Sequence, residues 1–334
     1  MRAYRMDEFD SLDGLVLHDQ PVPQPGHGQV LVKIHARALN YRDVLIQRQR
    51  YAFPALRGVV PLSDGAGEVV ALGAGVTSMN VGDRVAACYF PRWQAGRLEM
   101  PMAMDQFGCQ RDGMLADCVV ADASAWVHLP AHLSYEQGST LPCAAVTAWN
   151  ALTGGRSLMS GDTVLTLGTG GVALFALQFA KTLGARVIGI TSSSQKVAVL
   201  RSLGADEVVD RTQHPDWANE VRRLTQGAGV DHVVETGAID TLPQSLAACA
   251  ANAEVALVAA LGAGALDASA LRGLVTIRRV FVGSRASFVS MNRAIGQHRL
   301  EPVIDRAFSF DEARLAYEHF AAQKHVGKVV ITSE

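Results

Sequence analysis

The feature that most constrains the fold is an apolar run followed by closely spaced glycines and then by a helical pattern. Residues 164–167 form the run, Gly168, Gly170 and Gly171 follow at once, and residues 172–183 place apolar side chains on one face. Further apolar runs alternate with helical stretches downstream. This order is typical of buried parallel strands connected by helices, so we predict a doubly wound α/β sheet. The expected strands are 164–167, 187–190, 208–209 and 230–235.

The chain before this region has a different pattern. From about residue 29 to residue 127 it contains short β-rich runs separated by turns with Pro and Gly, which is typical of a small, barrel-like antiparallel domain. A mixed pattern returns from about residue 266 and ends in a strand at 328–331. At 334 residues the chain exceeds what one hydrophobic core usually supports. We therefore expect two domains.

The glycine-rich turn is a candidate site for the diphosphate of a dinucleotide. A lone glycine cluster is more often a plain turn, but here a strand leads into it and a helix leaves it, as such a site requires. Glycines let the backbone approach a phosphate closely, and the first N–H groups of the helix attract its negative charge. The candidate binding residues are Gly168, Thr169, Gly170, Gly171 and Val172.

The end of the second strand bears on which nicotinamide cofactor binds. About 20 residues after the glycines, an acidic side chain would bind the ribose hydroxyls of NAD and repel a 2′-phosphate. This chain has Thr191, Ser192 and Ser193 there, followed by Lys196. Hydroxyl groups and a cation suit a phosphate, so we predict NADP(H), with Arg211 as a second cation. The alternative is that a serine caps the next helix and Lys196 is a solvated surface charge.

Composition and charge argue against several other classes of function. The formal net charge is −2, so the chain has no basic excess with which to bind nucleic acid or an anionic membrane. The N-terminus has early acidic residues and no apolar run, unlike a signal peptide, so we expect a cytoplasmic protein. The five cysteines are scattered and form no close pair, which favours reduced thiols over disulfides.

Motifs along nearly the whole chain resemble those of the medium-chain dehydrogenase/reductase superfamily. They are PGHGQVLV (25–32), ALNYRD (38–43), DGAGEVV (64–70), VGDRV (81–85), LGAD (203–206) and GKVV (327–330). The resemblance implies a GroES-like β-barrel catalytic domain, formed from both chain ends, around a Rossmann domain. On this basis we expect a GroES-like part at 1–127, a Rossmann NADP-binding domain at 128–265 and a return to the catalytic domain at 266–334. The resemblance also implies a homodimer or tetramer, in which a partner extends the last Rossmann strand near 279–283.

Within the superfamily, the chain is more similar to quinone oxidoreductase-like members and related NADPH-dependent alcohol dehydrogenases than to the zinc enzymes. At the positions that match the catalytic zinc ligands it has Asn40, Ser63, Asp64 and Cys143. Asn and Ser are poor ligands for zinc, which prefers Cys, His and carboxylate side chains. The segment that would hold a structural zinc, roughly 90–111, contains a single cysteine. We therefore predict a zinc-independent oxidoreductase.

The candidate catalytic residues lie where the zinc enzymes hold their metal. Without a metal, negative charge that develops on the substrate oxygen must be stabilised by hydrogen-bond donors and cations, and a side chain must supply a proton. Tyr41 is the predicted proton donor, Arg42 a stabiliser of negative charge, and Asn40 a partner of the substrate or the nicotinamide ribose. Asp64 is either a proton relay or, in the interpretation we favour, a structural acid paired with Arg42 or with backbone N–H groups.

Further cofactor-binding residues are implied by the resemblance alone. Thr147 is expected near the nicotinamide carboxamide, and residues 282–285 are expected to border the same ring. Cys143 is expected to be a small residue beside the ring, neither a ligand nor a nucleophile. The residues implied in this way are Cys143, Thr147, Gly283, Ser284, Arg285 and Lys328.

Three functions are compatible with these patterns. The leading hypothesis is a zinc-independent, NADP(H)-dependent oxidoreductase that transfers a hydride to or from a small carbonyl, enone or quinone substrate. The second is a zinc-type alcohol dehydrogenase with unusual ligands. The third is a cofactor-binding protein with little turnover, similar to the lens crystallins related to this family. The sequence does not identify the substrate, because folding assembles the pocket from distant side chains.

Overall fold

The structure, a computed structural model, describes residues 1–237, 239–258, 265–271 and 273–333. No helix in these ranges combines the length and the apolar character needed to cross a membrane. The strands are β1 (Arg2–Met6), β2 (Leu15–Asp19), β3 (Gln29–Ala38), β4 (Asp64–Leu72), β5 (Arg84–Ala87), β6 (Cys118–Asp122), β7 (Trp126–His128), β8 (Thr163–Leu167), β9 (Arg186–Thr191), β10 (Glu207–Asp210), β11 (Val230–Glu235), β12 (Cys249–Leu257), β13 (Val275–Arg279), β14 (Ile304–Ser309) and β15 (Lys328–Thr332). The α-helices are α1 (Tyr41–Gln47), α2 (Met100–Ala103), α3 (Tyr135–Ser139), α4 (Val146–Thr153), α5 (Gly171–Thr182), α6 (Val197–Ser202), α7 (Trp217–Leu224), α8 (Leu242–Ala248), α9 (Arg285–His298) and α10 (Ala313–Ala321).

Two compact units make up the chain. The first contains Met1–Val146 and Ser284–Glu334, and the second contains Thr147–Gly283. In the first unit β15 pairs antiparallel with β3, so strands from the two ends of the chain share one sheet. Both boundaries between the units lie further along the chain than the predicted ones, which were placed after residues 127 and 265.

The contacts of two elements explain these later boundaries. α3 packs on β3, because the ring of Tyr135 stacks on His35 with 4.4 Å between ring centroids, and the guanidinium of Arg84 lies 4.7 Å from the Tyr135 ring centroid. These contacts keep residues beyond 127 in the first unit. At the other boundary, β13 pairs in parallel with β12, so the sheet of the second unit continues beyond residue 265. Turn signals in the sequence do not reveal such pairings between distant segments.

The second unit is built on a six-stranded parallel sheet with the order β10-β9-β8-β11-β12-β13. The order reverses between β8 and β11, and sheets of this kind bind ligands at the carboxyl ends of the strands at such a point. Four neighbouring strands supply the core residues Leu165, Ile188, Val233 and Val255. β13 is one of the two outer strands of this order, and its pairing with a partner chain stays a prediction.

The first unit is built on a mostly antiparallel sheet with the order β14-β15-β3-β4-β5-β7, in which β6 also pairs with β3. β1 and β2 form a separate antiparallel pair. A Cβ added to Gly67 of β4 would lie 2.0 Å from the carbonyl oxygen of Lys33, so the close approach of β3 and β4 requires glycine there. Ile34, Val85 and Trp126 belong to the core of this unit.

Candidate functional site

The glycine-rich turn joins β8 to α5 at the carboxyl edge of the parallel sheet. Gly168 has a φ of +82°, a conformation that favours glycine, and its N–H donates to the Ile190 carbonyl at 2.7 Å. Gly170 is the N-cap of α5 and has an ordinary extended backbone, with φ −76° and ψ 170°. A Cβ added to Gly170 would meet no heavy atom within 4 Å. Nothing in the described fold requires glycine at this position, whereas a ligand that approaches the backbone closely would.

The start of α5 supplies the N–H groups that an anion needs. Gly171 and Val172 are the first two residues of this helix, and Thr169, which is buried, precedes its N-cap. The first N–H groups of an α-helix have no acceptor within the helix, and its dipole places positive charge at this end. The twelve residues of α5 give the helix more than three turns, so this end is well formed.

The segment that is expected to determine the preference for NAD or NADP follows β9. Thr191 is buried, and its hydroxyl oxygen accepts from the Ser193 N–H at 3.2 Å, which forms a local turn. Ser192 is exposed, and Lys196 is half-buried at the end of a single 3₁₀ turn. The hydroxyl of Thr191 therefore shapes the turn.

Strand pairing brings two more charged residues to this segment. Asp210 of β10 lies opposite Thr191 in the parallel register, and Arg211, which is exposed, donates its N–H to the Thr191 carbonyl at 2.9 Å. Arg211 was predicted from the sequence as a cofactor-binding residue, and Asp210 was not. The Asp210 Oδ1 atom accepts from the N–H and the hydroxyl of Thr212, at 2.9 and 2.7 Å. One carboxylate oxygen is thus engaged in capping the turn after β10.

In the first unit, Asn40 and Lys328 form a buried pair. The Asn40 Oδ1 atom accepts from the Lys328 Nζ at 2.6 Å, and Nζ also donates to the Leu39 carbonyl at 2.6 Å. Asn40 is 7% exposed and Lys328 is 2% exposed. The Asn40 Nδ2 atom is buried and has no hydrogen-bond partner in the described part of the chain. A buried donor without a partner destabilises a fold by roughly 1–3 kcal/mol, so its retention calls for an explanation.

Arg42 is enclosed by two tyrosine rings. Its guanidinium carbon lies 5.3 Å from the ring centroid of Tyr51 and 4.7 Å from that of Tyr89. Its Nη1 donates to the Phe107 carbonyl at 2.9 Å, and its Nη2 donates to the Gln106 Oε1 atom at 3.3 Å. The two tyrosine hydroxyls are 2.8 Å apart, and each lies within hydrogen-bond distance of the Gln106 Oε1 atom, at 2.9 Å for Tyr51 and 3.0 Å for Tyr89.

The charges in this cluster follow from burial and proximity. Burial raises the pKa of Tyr51 and raises that of Tyr89 further, although Arg42 acts in the opposite direction on both. Burial would lower the pKa of Arg42, but Tyr89, Tyr51 and Asp43 together raise it well above its usual value. The cluster therefore holds a permanent cation beside two protonated phenols. No local motif connects Arg42 with Tyr51, Tyr89 and Gln106, so the sequence did not predict these three residues.

Asp64 begins β4 and is fully buried. It accepts from the Ser63 hydroxyl at 2.7 Å and from the Cys143 backbone N–H at 3.1 Å. The predicted alternative partner, Arg42, instead has its Nη1 3.7 Å from a carboxylate oxygen of Asp43. Burial, and then the nearby carboxylate of Asp64, raise the pKa of the Cys143 thiol, so this thiol is neutral at physiological pH.

The other predicted site residues are divided between the two units. Tyr41, the predicted proton donor, is the first residue of α1 and is 51% exposed. Ser284 caps α9, because its hydroxyl oxygen accepts from the Ser287 N–H at 3.2 Å, and the Arg285 N–H donates to the Trp93 carbonyl at 2.9 Å. These residues all belong to the first unit.

Two predicted cofactor-binding residues fall in the second unit. Thr147 is its first residue and is buried, and Gly283 is its last. The structure thus gathers Asn40, Arg42, Asp64, Cys143 and Lys328 in one unit, and the glycine turn with Lys196 and Arg211 in the other. In the described ranges, no three His, Cys, Asp or Glu side chains are grouped so that they could hold a metal ion.

Asp43 is the residue in this site whose charge should respond to pH. Burial raises its pKa to about 6, against the lowering effects of Arg42 and of the Asn40 N–H. The folded protein therefore binds this proton more tightly than the unfolded chain does. The resulting stabilisation is complete below about pH 4 and is lost as the pH rises through about 6, a loss of about 3 kcal/mol in the free energy of unfolding.

We expect Asp43→Asn to remove this pH dependence, because the amide keeps an acceptor for the Asn40 N–H and does not titrate. Urea unfolding of both proteins at several values between pH 4 and pH 8 measures the effect. The free energy of unfolding of the wild type, relative to the variant, should fall by about 3 kcal/mol over this range. A difference that stays constant with pH would contradict the prediction.

Known proteins resemble both units. The family described as alcohol dehydrogenase GroES-like domain matches residues 26–131, and the family described as zinc-binding dehydrogenase matches residues 171–305. A zinc-type alcohol dehydrogenase-like protein from Schizosaccharomyces pombe is 38% identical over 335 residues and 97% of each chain.

The solved structure of an NAD-dependent alcohol dehydrogenase superposes with a TM-score of 0.89, 31% identity and 99% coverage of both chains. A mycobacterial protein solved in complex with NADPH superposes with a TM-score of 0.81 at 28% identity, over 99% of this chain and 100% of that one. The predicted combination of a Rossmann sheet with a GroES-like domain is confirmed.

Proposed function

The chain belongs to the medium-chain dehydrogenase/reductase family of oxidoreductases, and from that premise we propose that it works without zinc and transfers a hydride between NADP(H) and a small carbonyl, enone or quinone. One observation carries the proposal. The ammonium group of Lys328 is hydrogen-bonded to Asn40, the residue that matches a zinc ligand in the zinc enzymes.

The residues at the positions of the zinc ligands do not fit a zinc ion. The acceptor oxygen of Asn40 is already bound to Lys328, and the ammonium group would repel a divalent cation at that distance. The Ser63 hydroxyl donates to Asp64, and neutral hydroxyls are poor zinc ligands in any case. Cys143 and Asp64 are the remaining side chains at these positions, and a catalytic zinc requires three protein ligands. These observations favour a metal-free reaction over the alternative of a zinc enzyme with unusual ligands.

The second unit has the features that a nicotinamide dinucleotide requires. The open space at Gly170 and the first N–H groups of α5 fit a diphosphate at the switch point between β8 and β11. When bound, the reduced cofactor supplies the hydride. The residues proposed to hold its diphosphate are Gly168, Thr169, Gly170, Gly171 and Val172.

Residues after β9 and β10 support NADP(H) as the cofactor. Ser192 and Ser193 provide hydroxyl groups, and Lys196 and Arg211 provide cations, where a 2′-phosphate would have to bind. Asp210 also lies at this edge, and Thr212 engages its Oδ1 atom. The structural neighbour in complex with NADPH is consistent with this choice.

The Arg42 cluster supports a proton donor other than Tyr41. A donor must remain protonated until charge develops and must leave a stabilised anion afterwards. The Tyr51 hydroxyl meets the first condition because burial raises its pKa, and the Arg42 guanidinium against its ring acts in the opposite direction and so favours the anion. The Tyr89 hydroxyl lies 2.8 Å from that of Tyr51 and can donate a hydrogen bond to the anion that Tyr51 leaves. Asp64, bonded to Ser63 and the Cys143 N–H, is then a structural acid.

The proposal is tested by NADPH oxidation with a panel of quinones, enones, aldehydes and ketones. We expect turnover that survives exhaustive chelation, with kcat/KM at least about tenfold higher for NADPH than for NADH. Metal analysis of the purified protein accompanies the assay. One zinc per chain, with loss of turnover on its removal, would favour the zinc enzyme. NADPH binding without turnover on any substrate would favour the crystallin-like alternative.

Lys196→Ala tests the cofactor assignment. We expect it to lower kcat/KM for NADPH by about ten- to a hundredfold and to leave that for NADH unchanged, since a charge-assisted phosphate contact contributes roughly 1.5–3 kcal/mol. Arg201→Ala, at an exposed position on the following helix, is the matched control and should change neither value. Equal effects of Lys196→Ala on both cofactors would show that Lys196 does not bind the 2′-phosphate.

A further inference from the structure

The side-chain amide of Asn40 has one end bound and one end without a partner. Its oxygen accepts from Lys328, and its Nδ2 atom is buried without a partner in the described ranges. An ammonium group has only donors, so Lys328 fixes which end of the amide is the oxygen and which is the nitrogen. The two N–H bonds of Nδ2 therefore face away from Lys328, and a buried donor of this kind is a candidate to bind a ligand.

Lys328 is itself held in place and lacks an ion pair. Its Nζ donates to the Leu39 carbonyl at 2.6 Å, and no carboxylate oxygen of the described residues lies within the 4 Å that defines an ion pair. The backbone fixes its position, because β15 pairs with β3 at Val330 and Ala38, and the Leu39 N–H donates to the Val329 carbonyl at 3.0 Å. The positive charge thus contacts two neutral acceptors, the Leu39 carbonyl and the Asn40 side-chain amide, and no carboxylate of the described residues neutralises it at contact distance.

We propose that Lys328 polarises the Asn40 amide, so that Nδ2 serves as the electrophile that binds the substrate oxygen in place of zinc. The proposal rests on the proposed function. Hydride adds to the substrate carbon, the π electron pair of the C=O bond moves to oxygen, and oxygen then takes a proton from a hydroxyl donor. Until that proton arrives, the Nδ2 N–H stabilises the oxyanion. A cation on the amide oxygen draws electron density from the nitrogen, which strengthens its N–H as a donor. Asn40 is then a catalytic residue and Lys328 a positioning residue.

Kinetics of single and double variants test the two roles. Asn40→Ala should lower kcat by about a hundredfold or more, as expected when an oxyanion donor is removed. Lys328→Met should lower it by about tenfold, and Lys328→Arg should retain most of the activity because it keeps the charge. Since Lys328 acts through Asn40, the double variant should be no slower than Asn40→Ala. Lys324→Met, at an exposed position four residues earlier, is the matched control.

Two results would overturn the proposal. If the effects on kcat multiply in the double variant, Lys328 does not act through Asn40. If the variants raise the Kd for NADPH, measured by fluorescence, and leave kcat unchanged, the pair binds the cofactor. Thermal melting of every variant separates these effects from unfolding. Lys328→Gln, which keeps a donor and removes the charge, replaces Lys328→Met if the latter does not fold.

A spectroscopic measurement tests the pair without turnover. The side-chain ¹H–¹⁵N signals of Asn40 are assigned by their loss in Asn40→Ala. Lys328→Met should shift these signals and Lys324→Met should not; unshifted signals would show that Lys328 does not hold the amide, which overturns the proposal. Absence of turnover in the wild type would instead overturn the proposed function. Normal turnover in Asn40→Ala would show that Asn40 is not the electrophile and would leave the proposed function intact.

Discussion

Gly170→Ala is expected to leave the thermal stability of the protein unchanged and to raise the Kd for NADPH by about a hundredfold. The backbone at Gly170 has dihedral angles that any residue adopts, and an added Cβ meets no heavy atom within 4 Å. The methyl group therefore costs nothing in the described fold. It would occupy the space through which a diphosphate must approach the N-terminus of α5, which weakens the charge-assisted hydrogen bonds there.

Gly161→Ala is the matched control for this prediction. Gly161 belongs to the same unit and also has open space around an added Cβ, but its φ is +92°. An L-residue is strained in this conformation, so the variant should lose roughly 1–2 kcal/mol of stability and keep its affinity for NADPH. Thermal melting and fluorescence titration measure both quantities. A Gly170→Ala protein that binds NADPH as tightly as the wild type would place the diphosphate elsewhere.

The elements around this turn are those that the sequence predicts best. The apolar run before Gly168, the helical spacing after it and Gly184 beyond the helix are local patterns, and local patterns determine local structure. The structure has β8 at Thr163–Leu167, α5 at Gly171–Thr182 and a φ of +83° at Gly184. Gly184, directly after the helix C-cap Leu183, has the left-handed conformation that glycine favours at this position.

The polar cluster around Arg42 is what the sequence could not predict. Tyr51, Tyr89 and Gln106 lie in segments that no motif connects, and only the folded chain brings their side chains within 3.0 Å of one another. The position opposite Thr191 is a similar case, since the parallel register of β9 and β10 places Asp210 there. Long-range contacts of this kind depend on strand pairing and loop path, which a single sequence does not encode in any local signal.

We expect the second large effect on turnover when the proposed proton donor, the Tyr51 hydroxyl, is removed. Tyr51→Phe keeps the ring against the Arg42 guanidinium, at 5.3 Å, and removes only the hydroxyl. We expect kcat to fall by about a hundredfold or more with the Kd for NADPH unchanged, because general acid catalysis contributes about 10²- to 10⁴-fold. Tyr41→Phe removes an identical group from a half-exposed side chain and is the matched control, with turnover expected to stay close to that of the wild type.

The substrate panel sharpens this test, because the benefit of a proton donor grows with the basicity of the oxyanion it neutralises. An aldehyde gives an alkoxide on hydride addition, whereas a quinone gives the far less basic anion of a hydroquinone. Tyr51→Phe should therefore impair aldehyde reduction more than quinone reduction, and Tyr89→Phe, which removes the hydroxyl 2.8 Å away, should show the same order with a smaller loss. If turnover fell in Tyr41→Phe and in neither other variant, Tyr41 would be the proton donor. Unchanged turnover in all three variants would assign it to water or to Asp64, and Asp64→Asn would then decide between those two.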